Sequence, residues 1–247
     1  VDPAAVEKRF PHRLRNTQKP LKELVRDDSA VLLANALIDT SGQEPQIPAH
    51  LRASGDPGSY IVQWKGNVDA RFREELEAAG AEIISYVPNN AYYVKVGKSG
   101  ADRLSGTVGV QSVLPFQPYY KLDPALLAFA VKQEALPAGA RLRLTFLPGS
   151  ADIAQQVTDL GVEVLTQENS PFGPQLIVNP RSDALVSLAQ LPSVQGIERS
   201  VARVPASDLS RTILGVATNG EASTENYLGL TGGGVVVNIN DVGIQPG

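Results

Sequence analysis

The sequence predicts an α+β fold made of two tandem βαββαβ modules, followed by the opening strand of a separate α/β domain. Three observations lead there. One order of segments occurs twice, and a glycine stands at the same point after the first helix of each copy. The C-terminal segment is a continuous apolar run rather than an alternating one, as a strand buried on both faces requires.

The first copy opens with Ser59-Tyr60-Ile61-Val62-Gln63-Trp64, a β-branched and aromatic run placed after the turn signal Gly55-Asp56-Pro57-Gly58. Val68, Phe72, Leu76 and Ala79 then recur at spacings of four and three, which puts them on one helical face, and Gly80 stands where a left-handed C-cap belongs. Residues 81–87 and 91–96 read as a hairpin about the turn Pro88-Asn89-Asn90. A short helix over 99–106 and a closing strand over 108–114 complete the unit. The charge run Arg71-Phe72-Arg73-Glu74-Glu75 is a solvated helix face.

The second copy starts at 141–147, where Leu142, Leu144 and Phe146 alternate with polar residues as in a half-buried strand. Ile153, Val157 and Leu160 mark the helix face and Gly161 its C-cap. A strand over 162–166, a wide turn over 168–174, a strand over 175–178, a helix over 182–190 and a last strand at Val194-Gln195-Gly196-Ile197 follow. Gly80 matches Gly161, and Val110-Gln111 matches Val194-Gln195, with the wider turn absorbing the difference in spacing. This order folds most simply as a four-stranded antiparallel sheet with both helices on one face, the ferredoxin-like arrangement.

The expected organisation is an arm, helix and linker over 1–58, modules over 59–123 and 140–204 with a linker at 124–139, a connection over 205–231, and a new domain from 232 to 247. Within the first part, residues 1–20 read as an extended arm, 21–38 as one helix and the proline-bearing stretch 43–58 as linker. A short helix over 124–136 is bounded by Pro137. Tyr92, Tyr93, Tyr119 and Tyr120 suit either an interface or, more often, packing across strands.

Composition excludes several functions. The chain is 43% apolar and 19% charged with a net charge of −4, and its 22 Lys and Arg form no stripe for nucleic acid. Its longest apolar runs fall well short of the roughly 20 residues that span a bilayer, so no membrane role is expected. Cysteine and methionine are absent, so there is neither a disulfide framework nor a thiolate metal site. The missing initiator methionine points to an N-terminus removed either by a signal peptidase or by design of the expressed sequence, and export is the expectation. His12 and His50, in polar, proline-rich surroundings, read as solvated surface residues rather than as ligands or bases.

Gly232-Gly233-Gly234 leads into Val235-Val236-Val237-Asn238-Ile239-Asn240-Asp241-Val242-Gly243. A carboxylate at the C-terminal end of such a strand lies where open α/β sheets bind ligands. An aspartate that merely holds a turn, and a cation loop using Asn238 and Asn240, are the plainer alternatives.

The segment Leu228 to Val237 followed by Asp241-Val242-Gly243-Ile244 resembles the aspartate motif of subtilisin-like serine proteases, an apolar strand running into Asp-Xaa-Gly. The family usually has Thr or Ser where Val242 stands. Many members also carry an inhibitor-type propeptide of the same βαββαβ order, and Tyr60-Ile61-Val62 and Val110-Gln111-Ser112-Val113 are similar to its opening and closing strands.

The resemblance implies that Asp241 orients the histidine of an Asp-His-Ser triad and stabilises its imidazolium. The histidine and serine boxes of the family lie downstream of the aspartate. This chain, which ends at Gly247, is therefore expected to be inactive alone and to work with the rest of the catalytic domain, in one polypeptide or as a cleaved second chain. The resemblance further implies peptide and protein substrates, secretion, no cofactor in this chain and any calcium in the catalytic remainder. It makes the second module a folding template and inhibitor whose tail, Arg199 to Asp208, lies across the active site, with self-cleavage between 200 and 225. The alternative is a non-catalytic binding or regulatory protein built of two ferredoxin-like modules.

Overall fold

A computed structural model of the chain describes residues 10–201 together with 213 and 214. The chain divides into two units, Val1–Val201 and Ala202–Gly247, and every element below belongs to the first. The fold is mixed α+β, with three sheets and short helices.

A small three-stranded sheet comes first. Strand β1 (Leu14–Arg15) pairs in parallel with β3 (Ala36–Asp39), which pairs antiparallel with β2 (Ala30–Leu32). The single helix expected over 21–38 is replaced by one turn of helix, α1 (Leu21–Leu24), and this two-stranded hairpin. Asp27 explains the break. Its Oδ1 accepts from the backbone N and Oγ of Ser29 at 2.9 and 2.5 Å, giving the backbone a turn in place of another helical turn.

The second sheet has the order β5-β6-β4-β7, from β4 (Ser59–Trp64), β5 (Glu82–Val87), β6 (Ala91–Lys95) and β7 (Val110–Pro115). Helices α2 (Ala70–Ala78) and α3 (Lys98–Ser105) fill the crossovers. Asp69 caps α2 by accepting from Phe72 N at 2.9 Å. Phe72 and Leu76 of α2, and Ala101 and Leu104 of α3, share one core with Tyr60, Val62, Trp64, Tyr92 and Val94. Both helices therefore cover the same sheet face.

The linkage to the third sheet is α4 (Pro118–Lys121) and α5 (Pro124–Lys132), the latter capped by Asp123 on Ala125 N at 2.8 Å. The third sheet has the order β11-β8-β10-β9, from β8 (Leu142–Phe146), β9 (Glu163–Ser170), β10 (Gly173–Asn179) and β11 (Val194–Arg199). Its crossovers hold α6 (Ile153–Thr158) and α7 (Leu185–Gln190). The wide turn expected over 168–174 is mostly strand: the hairpin continues to Ser170 and Gly173 and closes over Pro171-Phe172. Gly173 has φ 126°, and a Cβ there would lie 2.2 Å from the Phe146 carbonyl, so the closure requires glycine.

The two larger sheets repeat each other in detail. Gly80 and Gly161 both end their helices with left-handed φ, 74° and 71°. Ile84 in β5 and Leu165 in β9 are each the extra residue of a bulge, and they stand the same distance beyond those glycines.

The segments read as linkers are not spacers. Ile47 and Leu51 from 43–58, and Leu126, Leu127, Ala130 and Leu136 from 124–139, are buried in one core with Leu142, Leu144, Phe146, Val157 and Leu188. Apolar positions in such short stretches carry no period that sequence reading can use.

Candidate functional site

The two larger sheets differ on the face away from their helices. In β4, β6 and β7 that face presents Ile61, Gln63, Ala91, Tyr93 and Leu114. The small sheet covers it: Val31, Ala36 and Ile38 pack with Ile61, Val87, Ala91 and Tyr93 in one cluster. The fully buried Gln63 is satisfied there, donating from Nε2 to the Ala30 and Asn89 carbonyls at 3.1 and 2.9 Å and accepting from Thr40 Oγ1 at 2.7 Å.

At the matched positions the other sheet has Arg143, Thr145, Gln175, Ile177 and Glu198. These residues are half-buried or exposed, and none belongs to a hydrophobic cluster of the described residues. Arg143 Nη1 donates to Glu198 Oε1 at 3.1 Å, while its buried Nε has no partner among the described residues. Gln175 Nε2 donates to Thr145 Oγ1 at 3.1 Å. Ile177 stands between Arg143 and Thr166 as an apolar spot in a hydrogen-bonding field. A face of this kind suits docking against a protein surface that brings its own polar groups.

The face lies beside the exit of the chain. β11 ends at Arg199, the next amide, Ser200 N, donates to Arg141 O at 2.8 Å, and Val201 is 76% exposed. On the far edge of β11, Leu122 forms a parallel bridge to Ile197, and Asp123 N donates to Ile197 O at 2.8 Å. Lys121, only 3% exposed, packs beneath this contact with Nζ donating to Leu191 O at 2.7 Å. Burial with no carboxylate partner pushes the amine down from the ordinary lysine value to about 7.

A concavity of about 430 Å3 lies beside α3 and is lined by Asp56, Tyr60, Lys98, Asp102, Val113 and Pro115 among others. Its charges are used internally. Asp56 accepts from Gly58 N, Tyr60 Oη and Lys98 N at 2.9, 3.0 and 2.7 Å, and Lys98 Nζ binds both Asp102 oxygens at 2.9 and 2.8 Å. This network fastens the loop before β4 to the start of α3.

Asp241 lies outside the described residues, as do Asn238, Asn240, the three glycines at 232–234 and the connection over 205–231 apart from 213 and 214. The histidines are half-buried rather than solvated. His50 Nε2 donates to Ala130 O at 2.9 Å, and the His12 carbonyl accepts from Tyr119 Oη. Among the described residues no group of three or more His, Cys, Asp or Glu is placed to hold a metal ion, and no helix is long and apolar enough to cross a membrane.

The tyrosines offered as an interface turn inward. Tyr92, Tyr93 and Tyr119 are buried and Tyr120 half-buried. Tyr92 packs on Phe72, and Tyr93, Phe116 and Tyr120 form a chain of rings with centroids 4.4 and 5.9 Å apart. Sequence reasoning missed Lys121 and Arg143. Nothing in Pro118-Tyr119-Tyr120-Lys121 marks its lysine as buried, whereas Arg143 and Thr145 were legible as the polar half of an alternating strand.

The sequence profile of a family described as a domain of unknown function (DUF8729) matches residues 17–117. The matched stretch takes in β2, β3 and the whole of the β4 to β7 module, and stops before α4. No curated protein and no solved structure matches the chain.

Proposed function

We propose that this chain is the propeptide region and aspartate strand of a secreted subtilisin-like serine endopeptidase, and that its β8 to β11 module is the chaperone-inhibitor of the catalytic remainder. On this reading each larger sheet with its helices is a ferredoxin-like module, which the shared strand order and matched bulges support.

The observation that carries the reading is the open polar face of the β8 to β11 sheet, on the module whose last strand leads towards Asp241-Val242-Gly243. Its matched counterpart is closed by the small sheet. The open sheet docks on the catalytic domain, and the tail after Arg199 adds main-chain hydrogen bonds to a strand edge of the active-site cleft. Asp241 holds the imidazole supplied by the remainder in the tautomer that accepts the serine proton and stabilises the cation that forms. Histidine, serine, substrate pockets and any calcium belong to that remainder, and cleavage within 200–225 frees the inhibitor.

The test is titration of the purified chain against a subtilisin-like protease. Slow, tight inhibition is expected. A folded chain that leaves the protease fully active at high micromolar concentration contradicts the proposal and favours a non-catalytic binding protein.

A further inference from the structure

The four edges of the two larger sheets are not equally protected. β11 carries the bridge from Leu122, and β7 ends in Pro115, with Gln111 Nε2 bonded to Thr40 Oγ1 of the small sheet at 3.1 Å. β9 is exposed but polar, with Glu163, Gln167, Glu168 and Asn169 along it. Among the described residues β5 has only the bulge at Ile84 and the single charge of Glu82. Its sequence is Glu82-Ile83-Ile84-Ser85-Tyr86-Val87, without lysine or proline, and Ile83 and Tyr86 are 40% and 55% exposed.

The bulge at Ile84 gives this edge a symmetry. Ile83 lies opposite Val94 and Tyr86 opposite Tyr92, so both stand on the helix-covered face, while Ser85 lies opposite Tyr93 on the other. Counted without the bulged Ile84, the strand has an exposed apolar residue on either side of Ser85, Ile83 and Tyr86, with Glu82 beyond one and the buried Val87 beyond the other.

We propose that β5 pairs antiparallel with β5 of a second copy of this chain, with a two-fold axis at Ser85. With Ile84 bulged out of the new ladder as it is out of the one with β6, the pairing sets Ile83 against Tyr86 of the second copy twice, and Ser85 against itself. Each Glu82 then meets the other copy's Val87 at opposite ends of the ladder, so the two carboxylates never face each other, and each keeps its own Lys95 at 3.7 Å. The register of the parallel alternative stacks Glu82 on Glu82. The same operation on β9, about Thr166 with the bulged Leu165 skipped, opposes Glu163 with Glu168 of the second copy, so β5 is the edge that self-association selects. The pairing leaves the open face of the β8 to β11 sheet untouched and is independent of the protease reading.

The chain has no cysteine, so one introduced thiol reports the contact cleanly. In the full chain, Ser85→Cys is expected to oxidise to a disulfide-linked dimer, because directly opposed residues in antiparallel strands approach within disulfide reach, while Thr166→Cys on β9 stays monomeric. Sedimentation velocity of the unmodified chain is expected to show a reversible dimer in the micromolar range, which Ile83→Lys weakens by about tenfold or more. All three substitutions fall at exposed positions, and circular dichroism verifies that the variants fold. An unmodified chain that stays monomeric throughout, or cross-linking at Thr166→Cys and not at Ser85→Cys, overturns the proposal.

Discussion

The β4 to β7 and β8 to β11 sheets share strand order, crossover helices, capping glycines and bulges, yet among the described residues one is sealed on both faces and the other on one. Ile61 in the first corresponds to Arg143 in the second, and Leu114 to Glu198. A few outward positions thus decide whether a module buries its sheet in its own chain or offers it to a partner, while the inward positions maintain the architecture. One scaffold carries two uses because a strand's two faces are written independently, on alternate residues.

The sharpest way to break this comparison is to make one substitution in both sheets. Ile61→Ala removes a side chain 1% exposed beneath the small sheet and is expected to lower stability by about 2–5 kcal/mol in chemical denaturation. Ile177→Ala, on the open face, is expected to cost less than about 1 kcal/mol. Equal losses would mean that both faces are covered.

Lys121 sharpens the comparison from inside the β8 to β11 module. Its folded pKa of about 7 lies below the ordinary value of 10.5, so between these values the unfolded chain binds the extra proton. Stability therefore rises as pH climbs from about 7 to 10.5 and does not change on this account below 7. Replacing Lys121 by Met is expected to raise stability at pH 7 by on the order of 3 kcal/mol and to abolish that slope, read as thermal midpoints across the window. A variant less stable than the parent at pH 7 would contradict it.

The smallest effect belongs to the cover of the sealed face. Lys19 Nζ bridges Asp27 and Asp39 at 2.6 and 2.8 Å, and its ammonium holds both carboxyls below their usual range, Asp27 at about 2. A depressed carboxyl stabilises above its unfolded pKa, and the contribution is lost as pH falls from about 4 towards 2. With Lys19 partly exposed, Asp27→Asn is expected to cost about 1 kcal/mol or less at pH 7 and to flatten the acid limb of the denaturation profile.

The repeat was legible because glycine caps and alternating strands are local signals: Gly80, Gly161 and the Leu142, Leu144, Phe146 pattern all appear as read. The small sheet was not. Ala30 to Ile38 is an apolar run that suits a helix or two strands, and only the Asp27 turn and the uncovered face of β4 and β6 decide between them. The same holds for Ile47, Leu51, Leu126 and Leu127, which take their place in the core from partners distant in the chain. Of the candidate sites, the outward polar residues of β8 could be read from alternation, whereas the burial of Lys121 arises wholly from tertiary packing.

The most direct test of the central claim is hydroxyl-radical footprinting of the chain alone and mixed with a subtilisin-like protease. The account predicts that Ile177 loses reactivity in the complex while Val108, 79% exposed on the other module, keeps it. Protection at Val108 with Ile177 unchanged would contradict the assignment of the open sheet as the docking face.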